Sequence, residues 1–384
     1  MSFTLDEVGF LSTHADEIVN ATAELSFKPT TVLADATALR GIFGEHGRAV
    51  AELARARQSA RGKVPDSWLV DVDSAQQATP ARVADLRAQR LLDHLGQDAL
   101  IHDVTCSVGT EGASISAAGM AYLGSDLDRV RLAMARHNLG NRAWLAQADA
   151  LEPISSGAQA IVADPARRAG GRRIVHPDQL LPPLPDLLKA WAGKELAVKC
   201  APGLDFSEWD GLVSLVSVDG GVKEACLYTP GLSEGASREA AMITGEKIDR
   251  ITDAGPDDVT AAAPGTWIID PDGAVVRAGL VRHYAHREGL WMLDERIAYL
   301  TGDRIPQGRS GFRFIEQVPL KKLRPALHAH GAGSLEILVR GVDIDPDALR
   351  KKLRLAGDRP MAVVCTRIGR QGVALICSAR EFSE

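Results

Sequence analysis

The chain is 384 residues long, 45% hydrophobic and 24% charged, with a formal net charge of −6. This composition excludes a mostly disordered chain, a collagen-like chain and a coiled-coil rod, and no run of about 18 uncharged apolar residues is present to form a spanning helix. The five cysteines (Cys106, Cys200, Cys226, Cys365 and Cys377) are odd in number and never spaced as CxxC, which points to a reducing cytoplasm and away from a structural zinc site.

Met1 to Glu7 lacks a basic stretch followed by an apolar core, so no secretion signal is expected. Up to about Arg61 the chain is rich in Ala, Leu, Glu and Arg. Val50, Leu53 and Ala54 recur at helical spacing, which predicts small helices broken near Lys28-Pro29 and between Gly41 and Gly47. Asp66 to Asp71 reads as a short buried connection. A helix then runs from Pro80 to Leu95, with Thr79 as N-cap, Pro80 at the first helical position and Gly96 as C-cap glycine.

From Ala99 the texture changes. Strand-like runs at Ala99–Val104, Ala121–Asp126, Ala143–Gln147, Ala160–Asp164 and Leu196–Lys199 alternate with helical stretches, among them Asp128–Leu139. This alternation is the pattern of a parallel, doubly wound sheet. Leu212–Val218 and Val222–Tyr228 flank Gly220-Gly221 as an added hairpin, and Thr266–Ile269 with Ala274–Arg277 suggest another around Asp272-Gly273. The last section, from Phe312 to Ile376, reads as a βαβαββ module.

The domain organisation expected is thus 1–78 helical, 79–232 Rossmann-like, 233–303 connecting with a hairpin, and 304–384 a small α+β module. Charge is divided unevenly along it. From Arg304 onward there are 15 Lys and Arg against 8 Asp and Glu, while the preceding residues are acidic in balance. A basic module on an acidic body suits an acidic partner, nucleic acid being the commonest.

The strongest constellation begins at Asp103-Val104-Thr105-Cys106-Ser107-Val108-Gly109-Thr110-Glu111-Gly112. A strand ending in small residues and turning into a helix lets a ligand approach the backbone at the carboxyl edge of the sheet. The next strand ends in Asp126, about 20 residues on, where a carboxylate can accept from both ribose hydroxyls. The third ends at Gln147-Ala148-Asp149 and the fourth at Asp164-Pro165-Ala166-Arg167-Arg168. Plainer roles also fit: Asp103 as a helix cap, Asp126 as a helix start, Asp149 as a turn residue, and Arg167, Arg168, Arg172 and Arg173 as a solvated loop.

These four positions resemble the cofactor loop, ribose acid, adenine acid and catalytic loop of class I S-adenosylmethionine-dependent methyltransferases, over roughly Thr79 to Tyr228. Within that class the chain is most similar to the trimethylguanosine-synthase-like RNA guanine-N2 methyltransferases and their bacterial relatives, which carry an Asp-Pro-Ala-Arg loop and a C-terminal THUMP-like domain. The Thr79-Pro80-x-x-Val83-Ala84 stretch resembles the segment that closes over the cofactor in that family. The resemblance implies S-adenosyl-L-methionine held by Thr79, Asp103, Thr105, Cys106, Ser107, Gly109, Asp126, Leu127, Asp149 and Ala150. It implies catalysis at Asp164, Pro165 and Arg167, and RNA, either tRNA or rRNA, gripped by Arg167, Arg168, Lys321, Lys322 and Arg324. No metal or membrane partner is implied.

Two departures stand out. Ser107 replaces the usual glycine, and the stacking aromatic of a Pro-Pro-Trp loop is absent, Ala166 and Arg167 standing there instead. A guanidinium can stack on a base or grip a phosphate in its place. Lys199-Cys200-Ala201-Pro202-Gly203 also resembles the Ser-Cys-Asn-Pro motif of uridine-C5 methyltransferases, with Cys200 as nucleophile but without the asparagine. A methyltransferase fold kept as an inactive RNA-binding scaffold and a dinucleotide-dependent dehydrogenase are further alternatives.

Overall fold

The computed structural model describes residues 3–166, 168, 169, 172, 173 and 176–383, with the backbone alone for 168, 169, 172 and 173. The chain divides into two compact units, residues 1–213 with 224–234, and residues 214–223 with 235–384. No helix among the described residues is long and apolar enough to cross a membrane.

The first unit opens with helices α1 (Leu5–Thr13), α2 (Ala15–Thr22), α3 (Val32–Phe43), α4 (Gly47–Ala60) and α5 (Val72–Gln77). Thr4 and Glu7 form a reciprocal cap on α1, and Asp71 and Ser74 do the same on α5, so each satisfies amide groups that the first helical turn leaves open. Leu11, Leu39, Leu53, Leu69 and Val70 from this region are fully buried, in one cluster with Val108 and Met134. Asn138 adds a polar clamp. Its side chain accepts from Leu69 N (2.8 Å) and donates to Leu69 O (3.0 Å) and Val108 O (2.9 Å), pinning the segment before α5 to the loop after the first strand.

Helix α6 (Ala81–Leu95) ends at Gly96, whose φ of 78° with ψ of 172° is a backbone conformation that glycine alone adopts readily. Its start differs from expectation. Pro80 occupies the N-cap position, and the Thr79 hydroxyl accepts a short hydrogen bond from Lys199 Nζ instead of capping the helix.

Strands β1 (Leu100–Asp103), β2 (Ala121–Asp126), β3 (Trp144–Gln147) and β4 (Ala160–Ala163) follow, with α7 (Thr110–Ala117) and α8 (Arg129–Leu139) between the first three. A two-residue pair, β5 (Arg168–Ala169) and β6 (Arg172–Arg173), precedes α9 (Leu184–Ala190), β7 (Glu195–Cys200), β8 (Leu212–Val218) and β9 (Gly221–Tyr228). In the first unit the strand order is β9-β7-β4-β1-β2-β3, parallel throughout except for β9, which runs antiparallel to β7. β4 is buried along its whole length, as a strand covered on both faces must be. Between β8 and β9 the turn carries positive φ at Asp219 (49°) and Gly220 (77°), the conformation of a tight hairpin.

The second unit holds β10 (Arg238–Thr244) and β11 (Lys247–Thr252), then β12 (Trp267–Ile269), α10 (Gly273–Arg277), α11 (Val281–Glu288), β13 (Trp291–Asp294) and β14 (Ile297–Gly302). The hairpin expected at Asp272-Gly273 is absent. Asp272 accepts from Ala274 N at 2.8 Å and so caps α10, because an Asp-Gly pair serves a helix start as readily as a turn. The chain ends with β15 (Ser310–Pro319), α12 (Leu323–Ala329), β16 (Ala332–Val339), α13 (Pro346–Leu353), β17 (Arg359–Ile368) and β18 (Gln371–Phe382). Their sheet has the order β13-β14-β12-β15-β18-β17-β16. Leu323, Leu327 and Leu353 pack α12 and α13 against one face, beside Met361, Val363 and Ile376, while Phe312, Ala362 and Leu375 face the other way. Lys321, Lys322, Arg324, Lys351, Lys352 and Arg354 are all exposed on this helical layer.

Candidate active site

A cavity of about 390 Å³ opens at the carboxyl ends of β1, β2 and β4, where a doubly wound sheet places its ligands. One wall is the loop after β1. Val104 N donates to Val162 O and Cys106 N to Ser125 O, each at 2.9 Å, so the loop is tied to strands on both sides. Ser107 takes the left-handed conformation (φ 48°), which costs a non-glycine residue roughly 1–2 kcal/mol. Asp126 Oδ2 accepts from Ser107 N at 3.0 Å and helps hold that conformation. Gly109, at φ 93°, is required for a second reason: a Cβ there would stand 2.8 Å from the Leu139 side chain.

Asp126 Oδ1 also accepts from Asp128 N (2.9 Å), and Asp149 Oδ1 from Leu151 N (2.9 Å). A carboxylate offers about four lone-pair sites, so each acid is fixed in place and still has acceptor capacity for a ligand. Leu127 lies between them on the cavity wall and is 64% exposed, an apolar surface suited to the flat face of a base. The buried Cys106 thiol is pushed well above its usual range by burial and by the charges of Asp103 and Asp126, which disfavours the thiolate form.

The facing wall combines Ser74, Gln77 and Ala78 at the end of α5 with Leu181, Pro182 and Pro183. Ala166 and Leu181 exchange backbone hydrogen bonds, joining the segment after β4 to this proline run. Asp164 N donates to Thr105 Oγ1 at 2.6 Å, so the two loops at the cavity floor are bonded to each other.

Beneath them lies a buried charge cluster. Lys199 Nζ stands 2.7 Å from Asp164 Oδ2 and 3.4 Å from Glu111 Oε1, and Arg87 bridges Glu111 (3.4 Å) and Glu224. Arg87, Lys199, Glu111 and Glu224 are each under 5% exposed. Burial opposes the charge on Lys199, but Asp164 and Glu111 outweigh it and hold the ammonium above its usual range. Asp103 has the opposite balance. Burial and the Glu111 charge push it up to about 7, against the Thr105 amide, Lys199 and the Tyr122 hydroxyl that favour its ionised form.

Of the residues expected at the cofactor, Asp103, Thr105, Cys106, Ser107, Asp126, Leu127, Asp149 and Ala150 line this one cavity, as does Asp164. Thr79, Gly109 and Pro165 stand behind the wall, Thr79 through its bond to Lys199. Arg167 lies outside the described residues, as does the side chain of Arg168. Lys321, Lys322 and Arg324 belong to the second unit. Sequence reasoning missed Glu111 and Lys199 as site residues and missed the wall formed by Ser74 and Gln77. Glu111 and Lys199 are consecutive with motif residues, but only the fold brings them together across 88 positions of chain.

The chain is 46% identical over 349 residues to S-adenosylmethionine-dependent methyltransferases of two Mycobacterium tuberculosis strains, CDC 1551 and H37Rv, both uncharacterised. The match covers 86% of this chain and 96% of each relative. The chain belongs to the S-adenosylmethionine-dependent methyltransferases. The fold of this methyltransferase is also that of a crystal structure from Porphyromonas gingivalis W83 assigned as a methyltransferase, with a TM-score of 0.69 at 16% identity, over 99% of this chain and 100% of that one. Residues 309–379 match the THUMP domain-like family. The methyltransferase cofactor is S-adenosylmethionine, and the cavity suits it: two fixed carboxylates with spare acceptor sites, an apolar platform and an acidic floor lie within a volume ordinary for a small-molecule site.

Proposed function

We propose that this methyltransferase modifies RNA, tRNA or rRNA, at an exocyclic base amine of the guanine-N2 kind, in the cytoplasm. The observation that carries the reading is the setting of Asp164. Its amide is anchored on Thr105 and its carboxylate is held against the buried Lys199 ammonium while still lining the cavity. A carboxylate oxygen paired with an ammonium still has lone pairs to accept with, so Asp164 can take the hydrogens of an amine and turn the nitrogen lone pair toward the cofactor. When bound, S-adenosylmethionine supplies an electrophilic methyl group on a sulfonium. The amine nitrogen forms the new bond to carbon as the carbon–sulfur bond breaks, sulfur keeps that electron pair as a thioether, and the surplus amine proton passes to Asp164 or to water. Alignment of the two reactants supplies much of the acceleration in such an in-line displacement.

Incubation of the purified protein with labelled cofactor and unmodified RNA tests this. Asp164→Ala is expected to lower label transfer by about 10²–10⁴-fold while leaving cofactor affinity nearly unchanged. Undiminished transfer in the variant would remove Asp164 from the mechanism. The uridine-C5 alternative requires Cys200 to reach the base, yet Cys200 is fully buried and off the cavity wall, its neighbour Lys199 taking the cavity-facing position on β7. Cys200→Ala should therefore retain transfer.

The RNA reading rests on the THUMP-like match together with the exposed Lys321, Lys322, Arg324, Lys351, Lys352 and Arg354 on α12, α13 and their ends. Cations that track a phosphate backbone release counterions on binding. RNA affinity measured by filter binding should accordingly fall at least tenfold between 50 and 200 mM salt, roughly as expected for a few phosphate contacts. A flat salt response would contradict the role given to these residues.

A further inference from the structure

A second cavity, of about 460 Å³, opens in the helices that precede the sheet, between α3, α4 and the start of α5. That volume is ordinary for a small-molecule site. Its floor is apolar, made by Phe27, Val32, Ala36, Ala51 and Val72. Its rim is charged. Arg48, Glu52 and Arg55 share one face of α4 with Ala51, Arg40 comes from the last turn of α3, and Asp71 and Asp73 stand at the start of α5. Several of these charges are answered inside the fold. Arg48 bonds Glu7 (2.5 Å) and Glu52 (2.8 Å), and Asp71 accepts from Ser74 N at 2.7 Å. Arg40 and Arg55 are exposed, and neither has an ion pair or a side-chain hydrogen bond among the described residues. Two guanidiniums, with the exposed Asp73 carboxylate in the first turn of α5, are thus left for a ligand.

The place of the groove supplies a second argument. Asp71, Val72 and Asp73 border it, while Ser74, Gln77 and Ala78, further along the same segment, line the cofactor cavity. Helix α5 has six residues, a length of about 9 Å, and a nucleic-acid strand carries one phosphate per roughly 3.4 Å of its axis. A strand with its target base in the cavity therefore reaches the groove within a few nucleotides.

We propose that this groove binds an unpaired nucleotide flanking the target base of the RNA substrate, with its phosphate on Arg40 and Arg55 and its base on the apolar floor. The assignment rests on the RNA reading and adds to it a contact in the first unit, separate from the cations of α12 and α13. A guanidinium is a planar fork of donors that matches phosphate oxygens, and it keeps its charge at any working pH. Bases of a single strand can be splayed out onto an apolar surface, which those of a duplex cannot. Asp73 is an acceptor only, so it suits a base N–H and not the phosphate, which orients the nucleotide with its anionic end toward the arginines.

Filter binding of the full-length protein to unmodified RNA tests the assignment. The double variant Arg40→Ala/Arg55→Ala should bind about tenfold more weakly at about 100 mM salt. Its slope of log affinity against log salt should be shallower by about 1–2, the change expected when two phosphate contacts are lost. Both side chains are exposed, so the fold should persist, and S-adenosylhomocysteine affinity by calorimetry should stay within about twofold of wild type. Arg129→Ala/Arg142→Ala removes the same charge from exposed positions elsewhere on the unit and should weaken RNA less than about threefold. Equal weakening by the two double variants would mean a general attraction to the charge of the unit, and unchanged binding by Arg40→Ala/Arg55→Ala would mean that the RNA passes elsewhere; either result overturns the proposal. A wild-type protein that binds no RNA would instead overturn the RNA reading, and this site with it.

Discussion

Replacing Arg87 by methionine should lower the unfolding free energy by about 3–5 kcal/mol, the range found when one partner of a buried ion pair is removed. Arg87 sits in the interior of α6, 1% exposed, with its guanidinium between Glu111 on α7 and Glu224 on β9. Burial opposes its charge, but Glu111 and Glu224 overcome this and hold the group above its usual range. Methionine keeps the length and the helix propensity, so the loss measured is that of the charge. Two buried carboxylates would then share Lys199 alone, in a cluster that already carries too much negative charge. Urea unfolding followed by circular dichroism reads the effect. A companion protein with both Arg87→Met and Glu224→Leu should recover part of the loss, because a whole buried pair replaced by apolar side chains is often close to neutral. A loss below about 1 kcal/mol for Arg87→Met would place the pair in the range of solvent-exposed bridges and contradict its burial.

Asp126→Ala should reduce affinity for S-adenosylmethionine by about 10²–10⁴-fold. Two hydrogen bonds from ribose hydroxyls to a carboxylate contribute roughly 1.5–3 kcal/mol each, which sets that range. The substitution has a second effect on the same ligand. Asp126 Oδ2 holds Ser107 N at 3.0 Å, and Ser107 is the residue in the left-handed conformation, so the loop after β1 would lose its anchor together with any hydrogen bonds that Asp126 gives the ligand. Asp126→Asn separates the two, since the amide can still accept from Ser107 N with its oxygen while losing the charge. It should fall between wild type and alanine by calorimetry. Affinity unchanged in both variants would show that ribose lies elsewhere in the cavity.

Much of this architecture was readable in advance because short-range chemistry decided it. Apolar runs of strand length alternating with helical periods gave the parallel sheet, and small residues after β1 with acids after β2 and β3 gave the edge where the cavity lies. The misreadings also have local causes. Asp272-Gly273 is compatible with a hairpin turn and with a helix cap, and the β12 pairing with β14 and β15 decides between them at long range. Thr79-Pro80 has the form of a cap followed by a first helical residue, but a buried lysine 120 positions away takes the threonine oxygen. Glu111 and Lys199 were invisible as a pair for the same reason. A lone glutamate at a helix start and a lone lysine in a strand have no spacing between them to read, and only the crossing of α6, α7 and β7 makes them neighbours.

The clamp at Asn138 has a bearing on how such a protein can be cut and recombined. Phe3, Leu11, Leu39, Leu53 and Trp68 share a single apolar cluster with Val108 and Met134, and Asn138 closes the backbone of Leu69 onto that of Val108. The helices that precede the sheet are therefore part of its interior and not a detachable appendage. A fragment trimmed to the catalytic core alone would bare an oily surface directly behind the cofactor loop, so that grafting, splitting or shortening this enzyme has to carry those helices along with the chemistry they back.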